Sequence, residues 1–175
     1  MLKTAAVVLA FLSLIVFPTA SRAQDRLIPS GNVYVGAAYG DNVDVINRLT
    51  FRGWDASVEV FPFHQRSYLG VVLDGSGFYR LGVQQYNLLL GPRLSMNYGK
   101  WRPFVQLTAG VERNTSSGVT HNPIAEDLGG GVDRKFQLLF MKNFSWRLQF
   151  DYTRTHLLST TQNDFRGSAG LVWRF

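Results

Sequence analysis

From Asp164 to Phe175 the apolar and polar positions alternate without a break. Phe165, Gly167, Ala169, Leu171, Trp173 and Phe175 share one parity, with Arg166, Ser168 and Arg174 on the other. Successive side chains of a strand point to opposite faces, so the segment is a ribbon with one apolar and one charged side. The same period recurs upstream. Tyr86, Leu88, Leu90, Pro92, Leu94, Met96 and Tyr98 form one face, opposed by Gln85, Asn87, Gly91, Arg93, Ser95 and Asn97. Trp146, Leu148, Phe150 and Tyr152 alternate in turn with Arg147, Gln149, Asp151 and Thr153. Read along the whole chain, the pattern predicts eight strands, at 32–39, 51–61, 67–74, 85–97, 102–113, 127–138, 145–155 and 164–175. Most have the roughly 9–11 residues that a tilted strand needs to cross a bilayer.

The aromatic residues say which solvent the apolar faces meet. Trp54, Tyr86, Tyr98, Trp146, Tyr152 and Trp173 fall on the apolar faces, and the tyrosines of the fourth strand cap its band at both ends. Such girdles belong at two membrane–water interfaces. A soluble sandwich or lipocalin-like barrel would alternate too, but would turn its aromatics inward and scatter its charges at all heights. A sheet in hydrocarbon has to close, because each unpaired backbone group at an open edge costs several kcal/mol. Eight strands close around an interior just wide enough for side chains to fill.

That interior collects charge. The inward parity carries Asp55, Glu59, Glu112, Asp133 and Asp151 with Arg93, Lys135, Arg147, Arg166 and Arg174. Five acids against five bases suggest a salt-bridged plug rather than a pore. The inward glycines Gly53, Gly91 and Gly131 leave some room for the other reading, a water path. Arg134 lies on the lipid-facing parity, where an arginine at mid-depth costs roughly 2–4 kcal/mol. Either it snorkels to an interface, or a bulge at Gly129-Gly130-Gly131 shifts the register. The bulge would exchange it in the lumen with Asp133 and Lys135.

The N-terminus adds a destination. Lys3 precedes an apolar run from Ala5 to Phe17, Pro18 follows, and Ser21-Arg22-Ala23 offers small residues for cleavage. Residues 1–23 thus read as a signal peptide and 24–175 as one domain; the run is short for a spanning helix. Without that peptide, sixteen basic residues face twelve acidic ones. This mild excess forms no basic stripe interleaved with aromatics, so nucleic acid is not an expected partner. There is no cysteine, which excludes disulfides and thiolate metal sites. No His/carboxylate spacing suits a metal, no glycine-rich loop opens a helix, and no cofactor is expected. The connections after strands two, four and six are short, whereas those after one, three, five and seven are longer and polar.

The chain resembles the small eight-stranded outer-membrane β-barrels, the OmpA-like transmembrane domain and its relatives. The carriers are the terminal Leu171-Val172-Trp173-Arg174-Phe175, the Leu90-Gly91-Pro92-Arg93 and Arg102-Pro103-Phe104-Val105 segments flanking a short turn, and Gly129-Gly130-Gly131-Val132-Asp133. The resemblance implies an all-β, up-and-down antiparallel transmembrane barrel in a bacterial outer membrane, with both termini periplasmic and polar loops outside. It implies a final Phe175 read by the barrel-assembly machinery, a monomer, and surrounding lipid and lipopolysaccharide as partners. Arg52, Arg113 and Arg154 share lipid-facing parity near the external strand ends, where guanidinium groups could form a collar on lipopolysaccharide phosphates. Some barrels of this size modify lipid A with a His, a Ser and a carboxylate at the external rim. His121, His156, Asp74, Ser76 and Ser159 are available, but His156-Leu157-Leu158-Ser159 lacks the His-x-Ser-Asn spacing. Asp74-Gly75-Ser76 likewise lacks an adjacent Asp-Ser pair. His64 has no assigned role. The expectation is a structural, non-enzymatic envelope protein, with a narrow porin, a lipid A-modifying enzyme and an adhesin as alternatives.

Overall fold

The computed structural model describes residues 30–43, 48–62, 68–80, 82–116, 119–136, 143–157 and 160–175. The expected signal peptide, His64 and Ser159 lie outside the described residues. Nine strands follow in order: β1 (Gly31–Val43), β2 (Arg48–Val60), β3 (Leu69–Arg80), β4 (Val83–Ser95), β5 (Trp101–Ser116), β6 (Val119–His121), β7 (Ile124–Lys135), β8 (Phe144–Leu157) and β9 (Thr160–Arg174). Neighbours in sequence, β6 and β7 excepted, pair antiparallel, and β1 pairs with β9, so the sheet closes on itself. Phe175 completes the seam by exchanging two backbone hydrogen bonds with Gly31, each 3.1 Å.

Nine strands make eight staves. β6 and β7 both pair with β5, and Asn114↔His121 and Val111↔Ile124 lie in one continuous register. The interruption falls at Asn122-Pro123. Pro123 accepts a 3.0 Å hydrogen bond from the Glu112 amide but has no N–H to return it, which splits one stave in two.

The register also fixes the tilt. Following the register from Asn32 through Glu59, Val72 and Gly91, across the position between Leu90↔Ala109 and Arg93↔Gln106 to Thr108, and on through Asp127, Thr153 and Asp164, returns to β1 at Asn42, ten residues beyond the start. With a rise of about 3.3 Å per residue and a strand spacing of about 4.7 Å, that stagger inclines the strands by about 41°. The twelve-residue step from Tyr86 to Tyr98 therefore climbs roughly 30 Å, enough for an apolar band of about 25 Å.

Three sequence expectations need correction. β3 runs to Arg80 and β4 starts at Val83; β8 runs to Leu157 and β9 starts at Thr160. The expected long polar loops at this end are thus mostly strand, because polar residues go on pairing through their backbones beyond the apolar band. The longer connections, 61–68 and 136–143, lie at the other end, beside the Gly31–Phe175 seam. The bulge is absent as well. β7 pairs with β5 and β8 in unbroken register through Gly129, Gly130 and Gly131. Arg134 therefore stays outside near the end of its strand, with its guanidinium 4.9 Å from the ring centre of Trp101.

Candidate functional site: the charged lumen

Burial follows strand parity along nearly every stave, but the inside is polar and the outside apolar. Leu88, Leu90, Leu107, Leu128 and Phe150 are exposed on the outer wall. Aromatics gather at its two ends. Trp101 and Trp146 meet edge to face at 5.8 Å, near Trp173, Phe175 and Tyr98 at the terminal end. Tyr79 and Tyr86 do the same at the hairpin end, where the Trp54 indole N–H donates to the Tyr79 hydroxyl at 3.3 Å. Tyr152 and Phe165 stack in the same girdle.

The buried charges are not balanced five against five. Asp55, Glu59, Asp74, Glu112, Asp127, Asp133, Asp151 and Asp164 are all buried, against Arg93, Arg102, Arg147 and Arg166, with Arg174 half-buried. Lys135 is exposed at the strand end and lies outside the network, and Asn97 is likewise exposed. Asp127, Asp164 and Arg102 went unread in the sequence and Asp74 was read only as a rim candidate, although each has its strand's inward parity. They sit at or near the ends of the expected segments, and the real strands run past them.

Height distributes the charges unevenly. Each residue along a strand climbs about 2.5 Å, and each step to the next stave about 3.1 Å. On this scale Arg93, Arg102, Arg147 and Arg174 share the terminal half with Glu59 and Asp133. Arg147 grips Asp133 with both carboxylate oxygens engaged, at 2.7 and 3.1 Å, and Arg174 reaches the same carboxylate at 3.4 Å. Arg93 donates to Gln106 and lies 3.4 Å from Glu59, which also accepts from Asn32 at 2.7 Å. Aromatic rings fill the gaps between guanidinium groups. Phe104 carries Arg93 and Arg147 at 4.4 and 4.6 Å, Tyr34 carries Arg147 at 4.9 Å, and Phe61 carries Arg102 at 4.7 Å.

The hairpin half is acidic. Asp55, Asp74, Asp127 and Asp151 lie within about 5 Å of one height, and Arg166 is the one buried arginine at that level among the described residues. It donates to Asp127 and to the Ser76 hydroxyl, both at 2.8 Å. Asp127 also accepts from Thr153 at 2.7 Å, Asp55 from Ser168 at 2.7 Å, and Asp151 from Gln106 and Gln149 at 3.0–3.2 Å. Above them Phe51, Phe78 and Ala38, with Val83 against them, form an apolar lid. Beside that lid a cavity of about 10 Å³ is lined by Gly40, Asp41, Gln85, Asp164 and Arg166. That is room for one water at most. Gly131 adds none, since a Cβ there would lie 2.7 Å from the Phe104 ring.

The remaining candidates are dispersed. Arg52, Arg113 and Arg154 are exposed on three different staves at heights within about 5 Å of one another. They form a level ring and no single pocket. His156 faces outward, 3.9 Å from Glu126, whereas Asp74 and Ser76 are buried inside, so the wall separates the residues a hydrolytic site would need together. His121 is exposed on β6. Among the described residues no three His, Cys, Asp or Glu side chains are disposed to hold a metal ion.

A closed eight-stave antiparallel barrel with a polar interior and aromatic girdles has the fold of the small outer-membrane β-barrels. Neisserial surface protein A is similar at a TM-score of 0.67, with 13% identity over 83% of this chain and 97% of that one. The N-terminal β-barrel domain of Pseudomonas aeruginosa OprF gives 0.55, with 14% identity over 85% and 98%. Ail, the attachment invasion locus protein of Yersinia pestis, gives 0.54, with 14% identity over 85% and 100%. No family model and no curated protein sequence matches the chain.

Proposed function

We propose that this protein is a non-conducting outer-membrane barrel that braces the envelope and anchors its lipid. Its termini face the periplasm, its hairpin ends face outward, and it works as a monomer without catalysis. The filling of the lumen supports this reading above all. Paired arginines and aromatic rings occupy the terminal half, buried carboxylates the middle, and phenylalanines the hairpin mouth. This filling is the ground for reading the lumen as a plug and not as a pore. Outside, Arg52, Arg113 and Arg154 stand at the height of the Tyr79–Tyr86 girdle, where lipopolysaccharide phosphates accept guanidinium hydrogen bonds. Phe175, at the seam between the last strand and the first, is the residue for the assembly machinery to read.

Planar-bilayer conductance of the refolded barrel tests the reading. Inserted barrels are expected to be silent. Stable, reproducible steps would establish the narrow porin instead, and a mass shift of lipid A on expression would establish an enzyme. Replacing all three collar arginines with Gln is expected to reduce the lipopolysaccharide that co-purifies; unchanged retention removes the collar from the proposal.

A further inference from the structure

The acidic half of the lumen has more acceptors than donors, and the surplus is concentrated on one part of the wall. On β2, β3 and β4, Asp55 Oδ1, both carboxylate oxygens of Asp74, Ser57 Oγ and Asn87 Oδ1 are buried without a hydrogen-bond partner. Asp74 is 1% exposed, and Asp55, Ser57 and Asn87 are each 4% exposed. These residues are neighbours by register. Ser57 lies directly opposite Asp74, Asp55 opposite Ser76, and Ser76 opposite Asn87. All face the lumen, and directly opposed residues hold their Cβ atoms about 4.5–5.5 Å apart. Arg166, the cation at this height, already donates to Asp127 and Ser76. Asp74 has no hydrogen-bond donor, and Arg166 is shared among Asp55, Asp74, Asp127 and Asp151, so the carboxylates outnumber the cation and this wall calls for further positive charge.

We propose that Asp55 and Asp74, with Ser57, bind a small singly charged metal cation of sodium size. Two carboxylates with a neutral hydroxyl oxygen make a hard, oxygen-only ligand set. A divalent ion takes more charged ligands than these two carboxylates supply. The small cavity at the hairpin mouth is bounded by Asp41 and Asp164 and reaches Arg166, one hydrogen bond from Ser76.

The test is thermal unfolding of the detergent-refolded barrel in sodium chloride and in choline chloride at equal ionic strength, choline being too large for the lumen. Saturating sodium is expected to raise the midpoint by roughly 5 °C over choline. Asp74→Asn keeps the shape, removes the charge and is expected to abolish the difference, as is Asp55→Asn. Glu126→Gln, on the outer wall, is expected to retain it. Equal midpoints in the two salts overturn the proposal, as does a sodium response that survives Asp74→Asn. So does an infrared band of a protonated carboxyl that disappears in Asp74→Asn, since a proton would then supply the missing charge.

Discussion

Arg147→Met removes the cation around which the terminal half of the lumen is built. Arg147 is 1% exposed, forms two hydrogen bonds to Asp133 at 2.7 and 3.1 Å, and lies between the rings of Tyr34 and Phe104 at 4.9 and 4.6 Å. Breaking one side of a buried ion pair costs about 3–5 kcal/mol, chiefly by leaving the other charge uncompensated. Two desolvated ring contacts add to the loss, each worth about 1–2 kcal/mol. Arg174 recovers part of it, because it still reaches Asp133 at 3.4 Å. Methionine fills most of the space, so a cavity contributes little. The expected net loss is about 4 kcal/mol. Arg134→Met is the reference. Arg134 is exposed over one ring, Trp101, and its replacement is expected to cost about 0.5–1 kcal/mol. Urea unfolding in lipid vesicles, followed by tryptophan fluorescence, measures both. A cycle with Asp133→Asn is expected to give a coupling of about 2 kcal/mol or more. A loss for Arg147→Met below about 1.5 kcal/mol, or no larger than that of Arg134→Met, would refute the claim that this pair holds the lumen together.

Two further outcomes follow from the backbone. Gly82 turns the β3–β4 hairpin at φ 79°, so Gly82→Ala is expected to cost about 1–2 kcal/mol in the same unfolding assay. Pro123→Ala supplies the missing N–H opposite the Glu112 carbonyl and is expected to fuse β6 with β7. Amide hydrogen exchange would then show new protection at residues 121–123, and its absence would mean that proline is not what interrupts the stave.

The sequence by itself determined the faces. Period two is a property of every strand, so the parity that placed Leu88 and Leu90 outside and Arg93 and Arg147 inside could be read before any fold was known. The aromatic caps at Tyr86 and Tyr98 set the height of the apolar band for the same reason: local chemistry chooses its solvent. Strand ends were less legible. The segment 75–80, with two glycines and adjacent Phe78 and Tyr79, shows no clean alternation, yet its backbone pairs with β4 as far as Arg80, which turned an expected loop into a hairpin and placed Ser76 in the lumen. Parity also cannot say which inward charges meet. Asp133 and Arg147 are direct cross-strand partners, accessible once a register is assumed. Arg166 and Ser76, ninety residues apart, meet only because the sheet closes with a stagger of ten. That stagger decides which residues share a height. It put four of the five lumen arginines in one half and most of the aspartates in the other, an imbalance that composition and alternation leave open because height in a closed barrel is the sum of every register around it.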